Sequence, residues 1–255
     1  MRASPRVLVI VPTYNELEAL PTIAGRLRRA VPDADILIMD DNSPDGTGAL
    51  ADSLAAADGR IRVEHRPGKG GLGPAYLDGF RIGIDAGYDV LVQIDADGSH
   101  PPEKLPEMIE RLWADDDVAL VIGSRWVRGG RVIDWPKRRE ALSRGANVYA
   151  NVMLGVKVKD ATAGFRAYRA SALAALDLDS VVSKGYGFQI DMTIRIRDSG
   201  AGIIEVPIDF REREVGQSKM SGAIVGEAMK LVTVWGLRRR AAQLTGRTRR
   251  GPVPS

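Results

Sequence analysis

Five apolar runs set the rhythm of the chain: residues 7–11, 36–39, 61–64, 90–94 and 118–122, each closed by polar residues or glycine. Their apolar character is continuous rather than alternating, the pattern of strands buried on both faces of a parallel sheet. Between them, stretches such as residues 17–30 and Thr47–Ala57 space apolar residues near the helical period of about 3.6. This alternation predicts an α/β fold with a mostly parallel, Rossmann-like sheet flanked by helices. After Arg125 the beat lapses into Gly129-Gly130 and a basic stretch, Lys137-Arg138-Arg139. A further β segment is expected over residues 203–210. A last helix, over residues 221–237, places Ile224, Ala228, Leu231, Val232 and Trp235 on one stripe. Such an amphipathic helix packs on the core or lies in a membrane interface.

Ligands of open α/β sheets sit outside the carboxyl ends of the strands. Here those ends read Pro12-Thr13-Tyr14-Asn15-Glu16, Asp40-Asp41-Asn42-Ser43-Pro44-Asp45-Gly46-Thr47, Asp95-Ala96-Asp97-Gly98-Ser99-His100-Pro101 and Gly123-Ser124-Arg125. Three of the four carry acids, whereas structural acids scatter over solvated helix faces. Asp95 and Asp97 stand two apart at the end of a strand and so point to one side. Two carboxylates in one place repel unless a cation joins them, and hard oxygen ligands select Mg²⁺ or Mn²⁺. Asp40 and Asp41, expected one strand position away, are acceptors suited to a base or ribose. The structural alternative there is helix capping by Asp41, Asn42 or Asp45.

Composition narrows the classes. The 255 residues are 44% hydrophobic and 27% charged, in keeping with one large globular domain. There is no cysteine, hence no disulfide and no thiolate metal site. A net charge of only +3, with 5% aromatic residues, argues against a nucleic-acid partner. No run approaches the roughly 18 apolar residues of a membrane span. Residues 238–255 hold six arginines and no acid, a basic tail suited to an anionic surface or simply solvated. Gly68-Lys69-Gly70-Gly71-Leu72-Gly73 matches the dinucleotide fingerprint, with Asp95 about 20 residues on. That match would make the protein an NAD-dependent oxidoreductase, but it follows the third strand rather than the first and leaves Asp97 unexplained. His65 and His100, the two histidines, have no triad or metal-pair spacing. Arg125, Arg139, Arg213 and Lys219 lie outside the regular beat, and guanidinium groups there suit phosphate.

The strand-end motifs do not stand alone. Gly71-Leu72-Gly73-Pro74-Ala75-Tyr76, Ser143-Arg144-Gly145-Ala146-Asn147, Asp160-Ala161-Thr162-Ala163-Gly164-Phe165-Arg166, Ser183-Lys184-Gly185-Tyr186-Gly187-Phe188-Gln189 and Arg213 through Lys219 follow in order. Together they resemble the family 2 glycosyltransferases, and within these the dolichol- or polyprenol-phosphate mannose synthases, over about residues 6–237. The resemblance implies a GT-A domain over 1–237, a tail over 238–255, and Mg²⁺ or Mn²⁺ as cofactor. It implies GDP-mannose as donor, a polyprenyl or dolichyl-type monophosphate as acceptor, and a single inverting displacement giving a β-mannosyl phosphate. Carried over by motif, Pro12, Tyr14, Glu16, Asp40 and Asp41 surround the guanosine. Asp95 and Asp97 hold the metal, with Ser99 where some members have a third ligand, glutamine. Arg125, Arg139 and Ser143 take the acceptor phosphate, Arg213 and Lys219 the donor diphosphate, and Asp97 and Arg125 carry the catalytic burden. A polyprenyl-phosphate glucosyltransferase using UDP-glucose fits the same residues, and only the likeness favours mannose. Many relatives carry membrane spans that this sequence lacks. The resemblance therefore implies peripheral attachment at the cytoplasmic face, directly or through a separate membrane-anchoring protein.

Overall fold

The computed structural model describes residues 3–212 and 222–244. The five apolar runs form β1 (Val7–Thr13), β2 (Asp35–Asp40), β3 (Ile61–His65), β4 (Val90–Gln93) and β5 (Val118–Ser124). The helices between them are α1 (Leu20–Ala30), α2 (Thr47–Ala57), α3 (Leu72–Asp85) and α4 (Leu105–Ala114). Beyond β5 come β6 (Arg131–Ile133), α5 (Lys137–Leu154), β7 (Arg166–Arg169), α6 (Ala170–Ala174), α7 (Gly185–Asp198), β8 (Gly202–Pro207), β9 (Asp209–Arg211) and α8 (Gly222–Leu244). The main sheet has seven strands in the order β3-β2-β1-β4-β7-β5-β8, all parallel except β7. The β segment expected over 203–210 breaks at Ile208: β8 joins the main sheet, while β9 pairs with β6 in a second one. Strand β1 lies between β2 and β4, so the Asp40-Asp41 corner is two strands from Asp95, not one.

Alternate residues of β1 feed two cores. Leu8 and Ile10 face the layer of α3 and α7, while Val7, Val9 and Val11 face that of α1 and α4. Helix α3 lies very close to the sheet because two of its residues have no side chain. A Cβ on Gly79 would come within 2.6 Å of Ile10, and one on Gly83 within 2.4 Å of Leu91. That seating carries Tyr76, on the same helix, to the end of β4.

Helix α8 docks on the core: Ala228, Val232 and Trp235 are buried and Leu231 is partly so, whereas the side chain of Ile224 lies outside the described part. The helix continues to Leu244, past the helix end expected at 237.

Helix α2 is tied to the sheet by a titratable clamp. His65 at the end of β3 pairs through Nε2 with Asp52 Oδ1 at 2.9 Å, and its Nδ1 lies 3.8 Å from Asp40 Oδ2. The bond to Asp52 holds the imidazole pKa above its ordinary 6.5. A raised folded-state pKa gives stability that is full below the ordinary value and lost as pH rises through the folded one. Amide exchange in α2 should therefore accelerate on raising the pH from 6 to 8 beyond the intrinsic rate, and Asp52→Asn should abolish that excess.

Candidate active site

A cleft of about 380 Å³ opens at the carboxyl ends of β1 and β4, where the strand order reverses. This is the expected ligand position in a doubly wound sheet. It brings together Pro12, Tyr14, Glu16 and Asp41 with Asp95, Asp97 and Ser99. Asn15 (φ 58°) and Asn42 (φ 56°) turn the chain sharply after β1 and β2, in the left-handed region that asparagine tolerates. Lys69 places its ammonium 4.1 Å from the ring centre of Tyr14.

Neighbouring acids at the end of β2 have opposite fates. Asp41 lines the cleft, its Oδ2 accepting the amides of Gly70 (3.0 Å) and Gly71 (3.2 Å) and its Oδ1 pairing with Arg66. Asp40 does not reach the cleft. It is 2% exposed and accepts from Thr13 Oγ1, Ser43 N and Ser43 Oγ, holding the β2–α2 corner. Asp45 accepts from the amide and hydroxyl of Thr47 at the start of α2, but the N-cap position is Gly46, so Asp45 braces the turn before the helix rather than capping it as expected. The glycine run thus wraps its amides around a carboxylate. It also follows the edge strand β3 rather than a strand at the reversal point, so it is not a dinucleotide turn.

Asp95 and Asp97 form the acidic wall. Tyr76 donates its hydroxyl to Asp95 Oδ1 at 2.8 Å, and the Ser99 amide donates to Asp97 Oδ1 at 3.0 Å. Burial, reinforced by the Asp95 charge, lifts the Tyr76 pKa far above the usual tyrosine range, so it stays a donor. His100 stacks on Phe165 and sets Nε2 3.7 Å from Asp95 Oδ2. Among the described residues no three His, Cys, Asp or Glu side chains enclose an ion by themselves. The acidic pair fits a hard divalent ion that takes its other ligands from water and phosphate oxygens, as Mg²⁺ does.

The opposite wall is basic and aromatic. Arg125, only 5% exposed, donates from N, Nε and Nη2 to the carboxylate of the fully buried Asp160 at 2.7–2.9 Å, and from Nη2 to Thr162 Oγ1. Arg139, in the first turn of α5, packs 4.0 Å from the ring centre of Trp135 and pairs with Glu212. Ser143 does not line this cleft. It lines an apolar groove among α5, α7 and α8, which shares Thr162 and Tyr186 with the cleft. Arg213 and Lys219 lie outside the described residues. Sequence reasoning assigned no role to Lys69, Trp135, Gln189 or Phe210, all of which line the cleft. The available signals were aromatics flanking the arginines and the Ser183-Lys184-Gly185-Tyr186-Gly187-Phe188-Gln189 motif. Breaking the buried ion pair strands a charge, so Asp160→Ala should lower stability by about 3–5 kcal/mol, measured as a fall in the urea midpoint at unchanged slope.

The chain is 56% identical over 242 residues to an undecaprenyl-phosphate mannosyltransferase of Micrococcus luteus, covering 95% of this chain and 98% of that protein. It is 54% identical over 247 residues to a polyprenol monophosphomannose synthase of Mycolicibacterium smegmatis, covering 96% and 92%. Among solved structures, a Mycobacterium tuberculosis glucosyl-3-phosphoglycerate synthase superposes with a TM-score of 0.67 at 19% identity, over 90% of this chain and 79% of that one. A mannosyltransferase of Pyrobaculum calidifontis, solved with GDP-mannose and Mn²⁺, superposes at 0.58 and 17% identity, over 96% and 75%. These likenesses are of fold. Residues 8–177 match the model of glycosyl transferase family 2, and with relatives this similar along nearly its whole length the chain belongs to that family.

Proposed function

We propose that the protein transfers mannose from GDP-mannose to a polyprenyl monophosphate, with inversion at the sugar. One observation carries the reading: a single cleft holds an acidic pair on one wall and two arginines on the other, and leads into an apolar groove. Those three environments suit a metal-bound diphosphate, an acceptor phosphate and the start of an isoprenoid chain. The names of the two bacterial relatives support mannose and a polyprenyl acceptor. A UDP-glucose donor would use the same walls and is the reading to exclude.

The acceptor phosphate is already anionic near neutral pH, so attack at the sugar C1 needs no strong general base. What it needs is orientation, which converts binding into rate. Asp160 and Thr162 take Nε and Nη2 of Arg125, and no described acceptor takes Nη1, which is left for an anion. Arg139 would exchange Glu212 for the phosphate. Leu142, Ala146, Ile190, Ala228 and Val232 line the groove for the lipid. When bound to Asp95 and Asp97, Mg²⁺ or Mn²⁺ supplies charge neutralisation for the departing diphosphate.

The groove helices also carry a membrane-facing surface. Helix α5 exposes Leu142, Val148 and Val152, and α8 exposes Val234 and Leu237, with Arg144, Arg238 and Arg240 beside them. Among the described residues no helix is long and apolar enough to cross a membrane. The protein instead rests this face on an anionic bilayer.

Incubation with radiolabelled GDP-mannose, Mn²⁺ and a short polyprenyl phosphate should move label into an organic extract. Label from UDP-glucose alone would reassign the donor. Asp97→Ala should reduce transfer by about 10³-fold or more, and substantial metal-dependent activity in that variant would remove Asp97 from the site. Val148→Glu with Val152→Glu should cut co-sedimentation with anionic vesicles by about tenfold or more, while transfer to a detergent-solubilised acceptor persists.

A further inference from the structure

Helix α7 is buried on nearly every side, and four polar side chains are buried with it: Gln189, Asp191, Thr193 and Arg195. Three of them are engaged. Arg195 donates to Asp191 Oδ1 at 2.8 Å and to Ser180 Oγ at 2.7 Å, Ser183 donates to Asp191 Oδ2 at 2.9 Å, and Thr193 donates to the backbone carbonyl of Gln189 at 2.8 Å. Gln189 differs. The residue is 6% exposed and lines the cleft, yet its amide oxygen is enclosed without any hydrogen-bond partner. Buried polar atoms in native proteins are paired with protein or water, so a carboxamide in a cleft wall without a protein partner marks a place that a polar group of solvent or ligand can take.

The position of that amide identifies the group. A Cβ built on Gly164 would lie 3.4 Å from Asp95 Oδ2, 3.6 Å from His100 Nε2 and 3.9 Å from Gln189 Nε2. The missing side chain at 164 therefore leaves an opening on which the acidic wall and the Gln189 amide converge. The turn that bears Gln189 is rigid, because its carbonyl also accepts from the buried Arg166 at 2.9 Å. The base has its place beside Asp41, and the lipid has the apolar groove. The part of a nucleotide sugar left for this opening is the hexose, whose hydroxyls both donate and accept, as a carboxamide does.

We infer that Gln189 binds a hydroxyl of the transferred hexose and fixes the ring between the acidic pair and Arg125. The inference rests on the nucleotide-sugar reading above. It is tested with GDP-mannose and its 2-, 3-, 4- and 6-deoxy forms against wild type, Gln189→Met and Gly164→Ala. Gln189→Met keeps the side-chain length without the amide. In Gly164→Ala the new methyl sits at ordinary contact distance and partly fills the opening. Both variants should bind GDP within about twofold of wild type and lose roughly 30- to 100-fold in kcat/KM for GDP-mannose. One deoxy donor should cost wild type a similar factor and cost Gln189→Met almost nothing more. Penalties that multiply for every deoxy donor, or GDP affinity falling in step with activity, would overturn the assignment alone. Failure of wild type to use any GDP-hexose would overturn the donor reading, and this inference with it.

Discussion

Arg125 and Asp160 bury opposite charges where β5 meets the cleft, and the geometry of the site depends on that pair. Taking two ions out of water costs several kcal/mol each, and their attraction compensates only when the geometry is good and the remaining hydrogen-bonding capacity is used. Here it is used. Asp160 accepts three bonds from Arg125, and its own amide donates to Glu205 of β8 at 2.9 Å. Thr162 receives Arg125 on one side and Asn147 of α5 on the other. One ion pair thus locks β5, β8, the segment from 160 to 164 and helix α5 into a single body, and leaves Gly164 facing Asp95.

The antiparallel strand β7 sets the width of the cleft. It stands between β4, which ends in the acidic pair, and β5, which ends in Arg125. Strands lie about 4.8 Å apart, so two spacings separate the walls by roughly 10 Å. Direct β4–β5 pairing would halve that gap and leave no room for a sugar between the proposed sites of the metal-bound diphosphate and the acceptor phosphate. Arg166, the first residue of β7, is wholly buried, and it is held by the carbonyls of Ala161, Ala163 and Gln189. The strand that spaces the walls therefore also braces the loop and the helix that furnish them.

What the sequence disclosed follows from where apolar residues point. Strands β1, β2, β4 and β5 are buried on both faces, and α2 spans the stretch read for it, so the apolar pattern located them; β3, at the sheet edge, buries only Ile61 and departs from that continuous pattern. Helix α7 is apolar and polar alike on buried faces, so it has no periodic signal. Strand β7 is four residues long and begins and ends with arginine. Helix α5 exposes Leu142, Val148 and Val152 and buries Asn147 beside Ala150 and Leu154, a mixture that blurs the pattern that betrays a helix. Within the site, the acids at the ends of β2 and β4 were legible because strand ends collect ligands. Which of Asp40 and Asp41 faces the cleft was not, since adjacent residues of a strand point to opposite sides. Gln189 was hidden because its meaning lies in a missing partner, which only three-dimensional packing reveals.

The outward apolar face of α5 and the proposed acceptor impose one constraint on each other. Withdrawing an isoprenoid chain from a bilayer costs about 0.8 kcal/mol per methylene-sized group. A tail of tens of carbons therefore cannot be extracted to reach a cleft held away from the membrane. The bulk of the tail stays in the bilayer, and the acceptor phosphate must meet Arg125 and Arg139 close to the headgroup layer. The helices that line the groove must then be the ones that touch the bilayer. Leu142 lines the groove and is also exposed, Val148 and Val152 continue along the same helix, and Val234 and Leu237 flank it on α8. The residues that deprive α5 of a recognisable periodicity are the ones that a membrane-resident acceptor requires.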